Sequence, residues 1–381
     1  MAGRRKKGNP IATVLGLIIV VVLGLFYSLT GNDSTGNVQD IPASSGGGQG
    51  EWWEVYFTDP VNMDDPDQWQ GSIEEVIIKK INAAKSSIHI ASFEFDLTPV
   101  AEALIAAKQR GVEVQWVTDD EHGLEADEEP GHGQFAMLKD AGIEVRSDDR
   151  TALMHNKFWI FDQQTVWTGS TNMTENGIFD QNNNVLVIHS PALAAIYEVE
   201  FQEMWNGEFG PRSPSQLENQ STVVNGSAVQ VVFTSEDGAL EEAIIPLVNT
   251  AQKSVRFLTF SFTDYPLAKA MIDRYNAGVD VAGVFEKVGS STDSAELRTL
   301  YCAGVPARRD ENGGFMHNKL IIVDERYVVT GSMNYSTNAE TSNDENVLVI
   351  DNPDIAKLYM EEFERIWAIA SDPEPEKFPC N

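Results

Sequence analysis

One pattern occurs twice in this chain. Met154-His155-Asn156-Lys157-Phe158-Trp159-Ile160-Phe161-Asp162 is followed, after six residues, by Gly169-Ser170-Thr171-Asn172. Met316-His317-Asn318-Lys319-Leu320-Ile321-Ile322-Val323-Asp324 is followed, after six, by Gly331-Ser332-Met333-Asn334. Both read H-x-K-x4-D-x6-G-S-x-N, and the second His lies 162 residues after the first. Six fixed residue types match by chance at on the order of 10⁻⁸ per start position, so two copies mark an internal duplication. Whatever this chain folds into must be built from two like halves.

The local pattern states the chemistry. His and Lys two apart on a strand point to the same face, so an imidazole and an ammonium converge. The Gly-Ser-x-Asn on the returning strand brings a hydroxyl and a carboxamide beside them. Lys157 and Lys319 are compact cations suited to phosphate oxygens, and Ser170, Ser332, Asn172 and Asn334 donate to the same oxygens. His155 and His317 can act as nucleophile or proton donor near neutral pH. The set reads as phosphoryl chemistry, with no metal and no cofactor expected. Asp162 and Asp324 complete the candidate catalytic set by motif, although both fall where a strand enters its turn, where Asp serves as a turn or salt-bridge residue. His89 and His189 read as satisfied core residues.

Around the motifs the halves run in parallel. Each opens with a β-like run ending in Phe-Thr (Val55 to Thr58; Val231 to Thr234), followed by an amphipathic helix and a strand (Ile73 to Ala84, then Ile88 to Phe93; Leu240 to Ala251, then Val255 to Phe260). Each then has a helix, a Gly-led strand, a second helix, the motif hairpin, and a closing strand with a long helix (Ala192 to Trp205; Pro353 to Trp367). Strands alternating with helices predict an α/β fold with mixed, mostly parallel sheets flanked by helices. The boundaries read as a basic segment 1–10, an apolar segment 11–29, a flexible Gly/Ser-rich linker 30–50, a first domain 51–206, a polar linker 207–228, a second domain 229–370 and a tail 371–381.

Charge narrows the partners. With 58 Asp plus Glu against 27 Lys plus Arg the net charge is −31, and no basic stripe of the kind that tracks nucleic acid occurs beyond the first seven residues. Those seven hold Arg4, Arg5, Lys6 and Lys7, directly before the uncharged 11–29 run. That order predicts either a transmembrane helix with its basic end cytoplasmic or a cleaved signal sequence, and in both cases an extracytoplasmic body. Trp52 and Trp53 suit either a membrane surface or a cap on the first strand. The run from Asp119 to Glu129, with His122 and His132, reads as a solvated acidic loop rather than a cation site. Cys302 and Cys380 could pair in an oxidising compartment or stay free. No obligate protein partner is expected.

The paired motifs resemble the two HKD motifs of the phospholipase D superfamily, and the resemblance spans about residues 51 to 370. It implies two homologous α/β domains in pseudo-twofold arrangement with the active site where the motif hairpins meet. It also implies phosphodiester cleavage in which one His forms a phosphohistidine and the other protonates the leaving alcohol, while Lys157, Lys319, Asn172 and Asn334 hold the phosphate. Glu345 lies 28 residues after His317, where the family commonly has an acid that orients the imidazole; the equivalent residue after His155 is Asn183. On that spacing His317 is expected to be the protonated acid and His155 the nucleophile.

The resemblance leaves the substrate open. The expected reaction is hydrolysis of glycerophospholipid to phosphatidic acid and head-group alcohol. The alternatives are a metal-independent endonuclease acting on DNA or RNA, with a local cationic cleft from Lys157, Lys319, Lys287, Arg308 and Arg309, and a transphosphatidylase or phospholipid synthase.

Overall fold

A computed structural model describes residues 47–213, 217 and 220–380. The expected basic segment, the apolar 11–29 segment and most of the 30–50 linker lie outside the described residues. Among the described residues no helix is long and apolar enough to cross a membrane.

The first half forms a sheet of eight strands: β1 (Gly48–Gln49), β2 (Trp53–Phe57), β3 (Ser87–Ser92), β4 (Glu113–Thr118), β5 (Glu144–Ser147), β6 (Lys157–Phe161), β7 (Thr165–Gly169) and β8 (Asn184–His189), in the order β1-β2-β8-β7-β6-β3-β4-β5. The second half repeats it with β9 (Ser221–Val224), β10 (Ser227–Thr234), β11 (Ser254–Thr259), β12 (Asp280–Phe285), β13 (Ala307–Arg309), β14 (Lys319–Val323), β15 (Tyr327–Gly331) and β16 (Glu345–Asp351), in the order β13-β12-β11-β14-β15-β16-β10-β9.

The sheets are mixed but not mostly parallel. Only β3-β4-β5 and β11-β12-β13 pair in parallel, and the other neighbours are antiparallel. The helix-alternation rule governs the crossovers among those three strands. It does not govern the motif hairpin or the opening strand, which lies against the closing one.

Burial explains why the motif strands are so apolar. In β6 the side chains of Phe158 and Ile160 enter one core while Trp159 and Phe161 enter another, and in β14 Leu320 and Ile322 part from Ile321 and Val323 in the same way. Each strand is therefore buried on both faces, as the two-residue period requires when both sides of a sheet are covered. The outer face of the first sheet is covered by helices such as Ile73–Ala83, which starts at the N-cap Ser72 and turns Ile73, Ile77 and Ile81 inward at a spacing of four. The long helices Pro191–Trp205 and Pro353–Ile369 contribute Tyr197, Phe201, Tyr359 and Phe363 to a core shared by both halves, together with Val55, Phe233, Leu320 and Leu348.

Several boundaries shift. Gly48 and Gln49, expected in the flexible linker, pair with Val55 and Glu54. The polar 207–228 stretch contains β9, which forms a hairpin with β10 and belongs to the second sheet. The tail is docked: Ser371 bonds Arg309 in both directions, and Cys380 is disulfide-bonded to Cys302 with the Cα atoms 5.3 Å apart. Trp52 and Trp53 are both buried in the shared core and so are caps. His89 is buried against Glu198, whereas His189 is an exposed strand-end residue held by Glu54 and Thr165.

Candidate active site

Each motif is built on a tight hairpin. Asp162 and Gln163 at the tip of β6-β7 have φ near 53°, and Asp324 and Glu325 have φ of 56° and 53°, with Gln164 and Arg326 closing the turns onto Phe161 and Val323. Two successive left-handed residues make a type I′ turn, whose twist matches its strands and which Asp tolerates well. Asp162 also accepts from the backbone N–H of Lys85, Ser86 and Ser87, and Asp324 from those of Gln252, Lys253 and Ser254. Burial pushes both carboxyls up, but these donors outweigh it and hold them low. Both Asp residues thus sit at the far end of the motif strand from His155 and His317. The structure does not place them in the reacting set; they fasten the hairpin to the start of β3 and β11.

At the near end the motif glycines are required by contact. Gly169 (φ 150°) and Gly331 (φ 143°) pass so close to the carbonyls of Asn184 and Asn346 that an added Cβ would lie 2.2 Å from each oxygen. That approach lets the Ser170 and Ser332 N–H groups bond the same carbonyls at 3.0 Å, and it brings Ser170 beside His317 and Ser332 beside His155, each the histidine of the other half.

The halves exchange partners at this point. Met154 bridges Asp344, with the His155 N–H on the Asp344 carbonyl at 2.9 Å; Met316 bridges Asn182, with the His317 N–H on the Asn182 carbonyl at 2.9 Å. Beneath them lies a buried set of amides and hydroxyls. Asn184 Nδ2 donates to Asn318 Oδ1 at 2.7 Å and Asn346 Nδ2 to Asn156 Oδ1 at 2.9 Å, while Thr168 and Tyr197 donate to Asn346, and Thr330 and Tyr359 to Asn184. Sequence reasoning missed all eight residues, although each pair shares the 162-residue offset of the motifs.

This exchange corrects the expected His partners. Glu345 does not orient His317: its Oε2 lies 2.7 Å from Nδ1 of His155, across the boundary between the halves. His317 Nδ1 instead faces Oδ1 of Asn183 at 2.9 Å. Spacing along one chain could not reveal this, because each partner comes from the opposite half. Asn183 can only accept there, since Ser170 Oγ donates to the same oxygen and its Nδ2 donates to the Gly177 carbonyl. Both rings therefore carry the proton on Nδ1 when neutral and turn Nε2 away from these partners.

The site is closed and positively biased. His155, Lys157, His317 and Lys319 are buried, each Lys Nζ bonds the carbonyl of its own motif His, and Phe93 and Phe260 pack edge-on against the imidazoles and beneath the ammonium groups. Burial, then the charges of Lys157 and Lys319, drive both imidazoles well below their usual range. Burial also brings Lys157 down to about 8, opposed by Glu345, Glu94 and Asp119, and holds Lys319 well below its usual range, with Lys157 adding to the effect. Burial pushes the Glu345 carboxyl up against the pull of Lys157 and Asn343, and a cation forming on His155 favours its ionised form. Asn172 and Asn334 reach the same place, and the Oδ1 of each is buried with no hydrogen-bond partner among the described residues. Two lysines, two amides and two imidazoles around one spot can hold a phosphate and pass its phosphoryl group to nitrogen.

The remaining expected cations do not join. Lys287 is paired with Glu311, Arg308 with Asp372 and Arg309 with Glu374. The acidic loop is only partly solvated: Glu121, Glu125, Glu128 and Glu129 are exposed, but Asp119 is buried and accepts from the N–H groups of His122 and Met154, bracing the approach to His155. Asp119, Asp120 and Asp148 lie close enough to hold a cation, as do Glu200, Glu203 and Glu236. Neither group includes a residue of the paired motifs.

Residues 77–205 and 244–367 match the family model described as "Cardiolipin synthase, PLD-like domain". The chain belongs to the phospholipase D superfamily. It is 34% identical over 131 residues to the mitochondrial cardiolipin hydrolase of Xenopus laevis, covering 34% of this chain and 62% of that protein. It is 30% identical over 135 residues to a phospholipase D of Rickettsia bellii, covering 35% of this chain and 67% of that protein. The chain thus spans less than two thirds of the length of the cardiolipin hydrolases it matches. Phosphatidylserine synthase from Haemophilus influenzae has the same fold, with a TM-score of 0.63 at 15% identity over 83% of this chain and 86% of that one.

Proposed function

We propose that this phospholipase D superfamily member hydrolyses glycerophospholipids to phosphatidic acid and head-group alcohol through a phosphohistidine on His155. The observation that carries the reading is the unequal pairing of two otherwise equivalent imidazoles, His155 with Glu345 and His317 with Asn183. When Nε2 of His155 attacks phosphorus, the ring becomes cationic, and a carboxylate at Nδ1 stabilises that charge as an amide does not. The ester P–O bond breaks, and the leaving oxygen takes the Nε2 proton of His317. The ring takes up that proton with the anionic substrate, whose phosphate charge offsets the burial and lysine charges that keep the free imidazole neutral; its amide partner leaves this imidazolium the stronger acid. Water then gives a proton to His317 and attacks phosphorus, and the P–N bond breaks. The sequence expectation named the same two roles, but for a reason the pairing reverses: Glu345 serves the nucleophile rather than the acid. Lys157, Lys319, Asn172 and Asn334 neutralise the phosphoryl oxygens throughout.

Lipid is favoured over nucleic acid on two grounds. The matched relatives bear the names cardiolipin hydrolase and phospholipase D. Lys287, Arg308 and Arg309, which would have built a cationic track for a polyanion, are each engaged by a carboxylate. An anchor at 11–29 and an extracytoplasmic body are part of the same reading, supported by the cationic flank in the sequence and by a disulfide suited to an oxidising compartment. The full chain in detergent, offered phosphatidylglycerol, cardiolipin and phosphatidylcholine vesicles beside supercoiled plasmid, tests it. Alcohol release with intact plasmid is expected; nicking without alcohol release would transfer the activity to nucleic acid.

A further inference from the structure

The two halves of the site differ at one more place. Glu94 follows β3 between Phe93, which packs on His155, and Phe95, which bridges Met173; in the second half Phe262 bridges Tyr335, so the residue equivalent to Glu94 is Ser261. Glu94 Oε2 accepts from Asn172 Nδ2 at 2.9 Å. Asn172 is thereby turned so that its amide nitrogen is engaged by a carboxyl while its oxygen lies buried without a partner. A phosphate needs the opposite end of that carboxamide.

We propose that Glu94 is a positioning residue that decides which end of Asn172 faces the phosphate. As a carboxylate it accepts from the Asn172 NH2 group and leaves Oδ1 for the ligand, which repels an anion. As a carboxylic acid it donates its O–H to Oδ1, and the NH2 group turns to the phosphate. The flip exchanges one hydrogen bond for another and needs no backbone movement. The groups acting on Glu94 are Lys157, His122, Asp119 and His132, with Asp96 and Lys319 also within electrostatic reach. Burial, the largest influence, raises its carboxyl and so favours the competent orientation, while Lys157 and the two histidines work against it. Among the described residues Asn334 has no carboxyl partner, so this control belongs to the first half.

The inference rests on the phosphate-binding part of the proposed function, and sulfate separates it from the lipid reading because its charge is constant between pH 5 and 8. Calorimetric Kd values for sulfate on the full chain are compared for wild type, Glu94→Gln, Asn172→Ala and the double variant. Gln can donate to Asn172 Oδ1 at every pH, so Glu94→Gln is expected to bind sulfate at least fivefold tighter than wild type at pH 8 and equally at pH 5. That gain should vanish in the Asn172→Ala background. Equal Kd values for Glu94→Gln and wild type at both pH values would overturn the proposal. So would a gain that survives removal of Asn172, which would make Glu94 a bulk charge. Sulfate binding that behaves as expected in a protein that cleaves no lipid would leave this inference standing and sink the substrate assignment.

Discussion

Glu345 Oε2 stands 2.7 Å from His155 Nδ1, although 190 residues separate them and they belong to different halves of the duplication. The equivalent contact, His317 to Asn183, is of similar length but lacks the charge. The pseudo-symmetric scaffold thus makes two geometrically matched imidazoles chemically unequal.

If His155 is the nucleophile, a variant lacking the acid should stall after the first step when the leaving group needs no proton. His317→Ala with a p-nitrophenyl phosphodiester, quenched in alkali, should show a stoichiometric burst and a phosphoryl group on the peptide containing His155. His155→Ala should show neither. A label recovered on residue 317 in the wild-type chain would reverse the assignment.

Glu345→Gln keeps the shape of the pair and removes its charge. A loss of about 10²–10⁴ in kcat is expected, the range for a disabled proton-transfer or ring-orienting group. Asn183→Ala, which removes an amide rather than a charge, should cost less. Equal losses in the two variants would show that the carboxylate has no special part.

Asp162→Ala and Asp324→Ala should behave as stability variants. Each removes an acceptor for three backbone N–H groups. A cost of about 1–3 kcal/mol in denaturant unfolding is expected, with kcat within a few-fold of wild type. Loss of turnover in a variant with normal unfolding would return these residues to the reacting set.

Burial raises several carboxyls outside the paired motifs: Glu236 to about 8, and Glu74, Asp148 and Asp310 to about 7. Each holds a proton in the folded state that the unfolded chain has already lost. Their contribution is complete below the ordinary carboxyl range and is lost as pH rises through about 7–8. Tm should therefore fall between pH 6 and pH 8.5. Asp162 and Asp324, held low, act in the opposite sense only at more acid pH, and the lowered Lys157 and Lys319, which hold fewer protons folded than unfolded, offset part of the fall. A Tm that rises across pH 6 to 8.5 would contradict the burial of these groups.

The Cys302–Cys380 bond closes a loop of 78 residues in sequence separation, for which chain entropy gives about 4–5 kcal/mol. Reduction, or Cys302→Ser with Cys380→Ser, should lower stability by up to that amount. Cys302 ends a helix packed beside the edge strand β13 and Cys380 lies in the tail, and neither touches a residue of the site, so kcat at 25 °C should be retained.

Much of this was legible in the residues. The helix and strand sequence of both halves follows from apolar periodicity, and the 162-residue offset marks His155, Lys157, Asn172 and their counterparts as one set. The same offset also runs through Asn156, Thr168, Asn184 and Tyr197 and their equivalents, a faint signal because each is an ordinary residue outside the motif or at a variable position in it. Distance along the chain pairs Glu345 with His317, and nothing in the sequence shows that Lys287, Arg308 and Arg309 are each met by a carboxylate. The mostly parallel sheet came from applying the crossover rule beyond the three strands that have crossovers.

The sequence alone determined that two like halves would each present an imidazole, an ammonium and a carboxamide to a phosphate, because those side chains alternate on strands with a fixed two-residue period. Tertiary structure decided which half completes which imidazole. Packing the two sheets around a shared core crosses each motif with the opening of the other half's last strand, so the carboxylate encoded beside one histidine acts on the other.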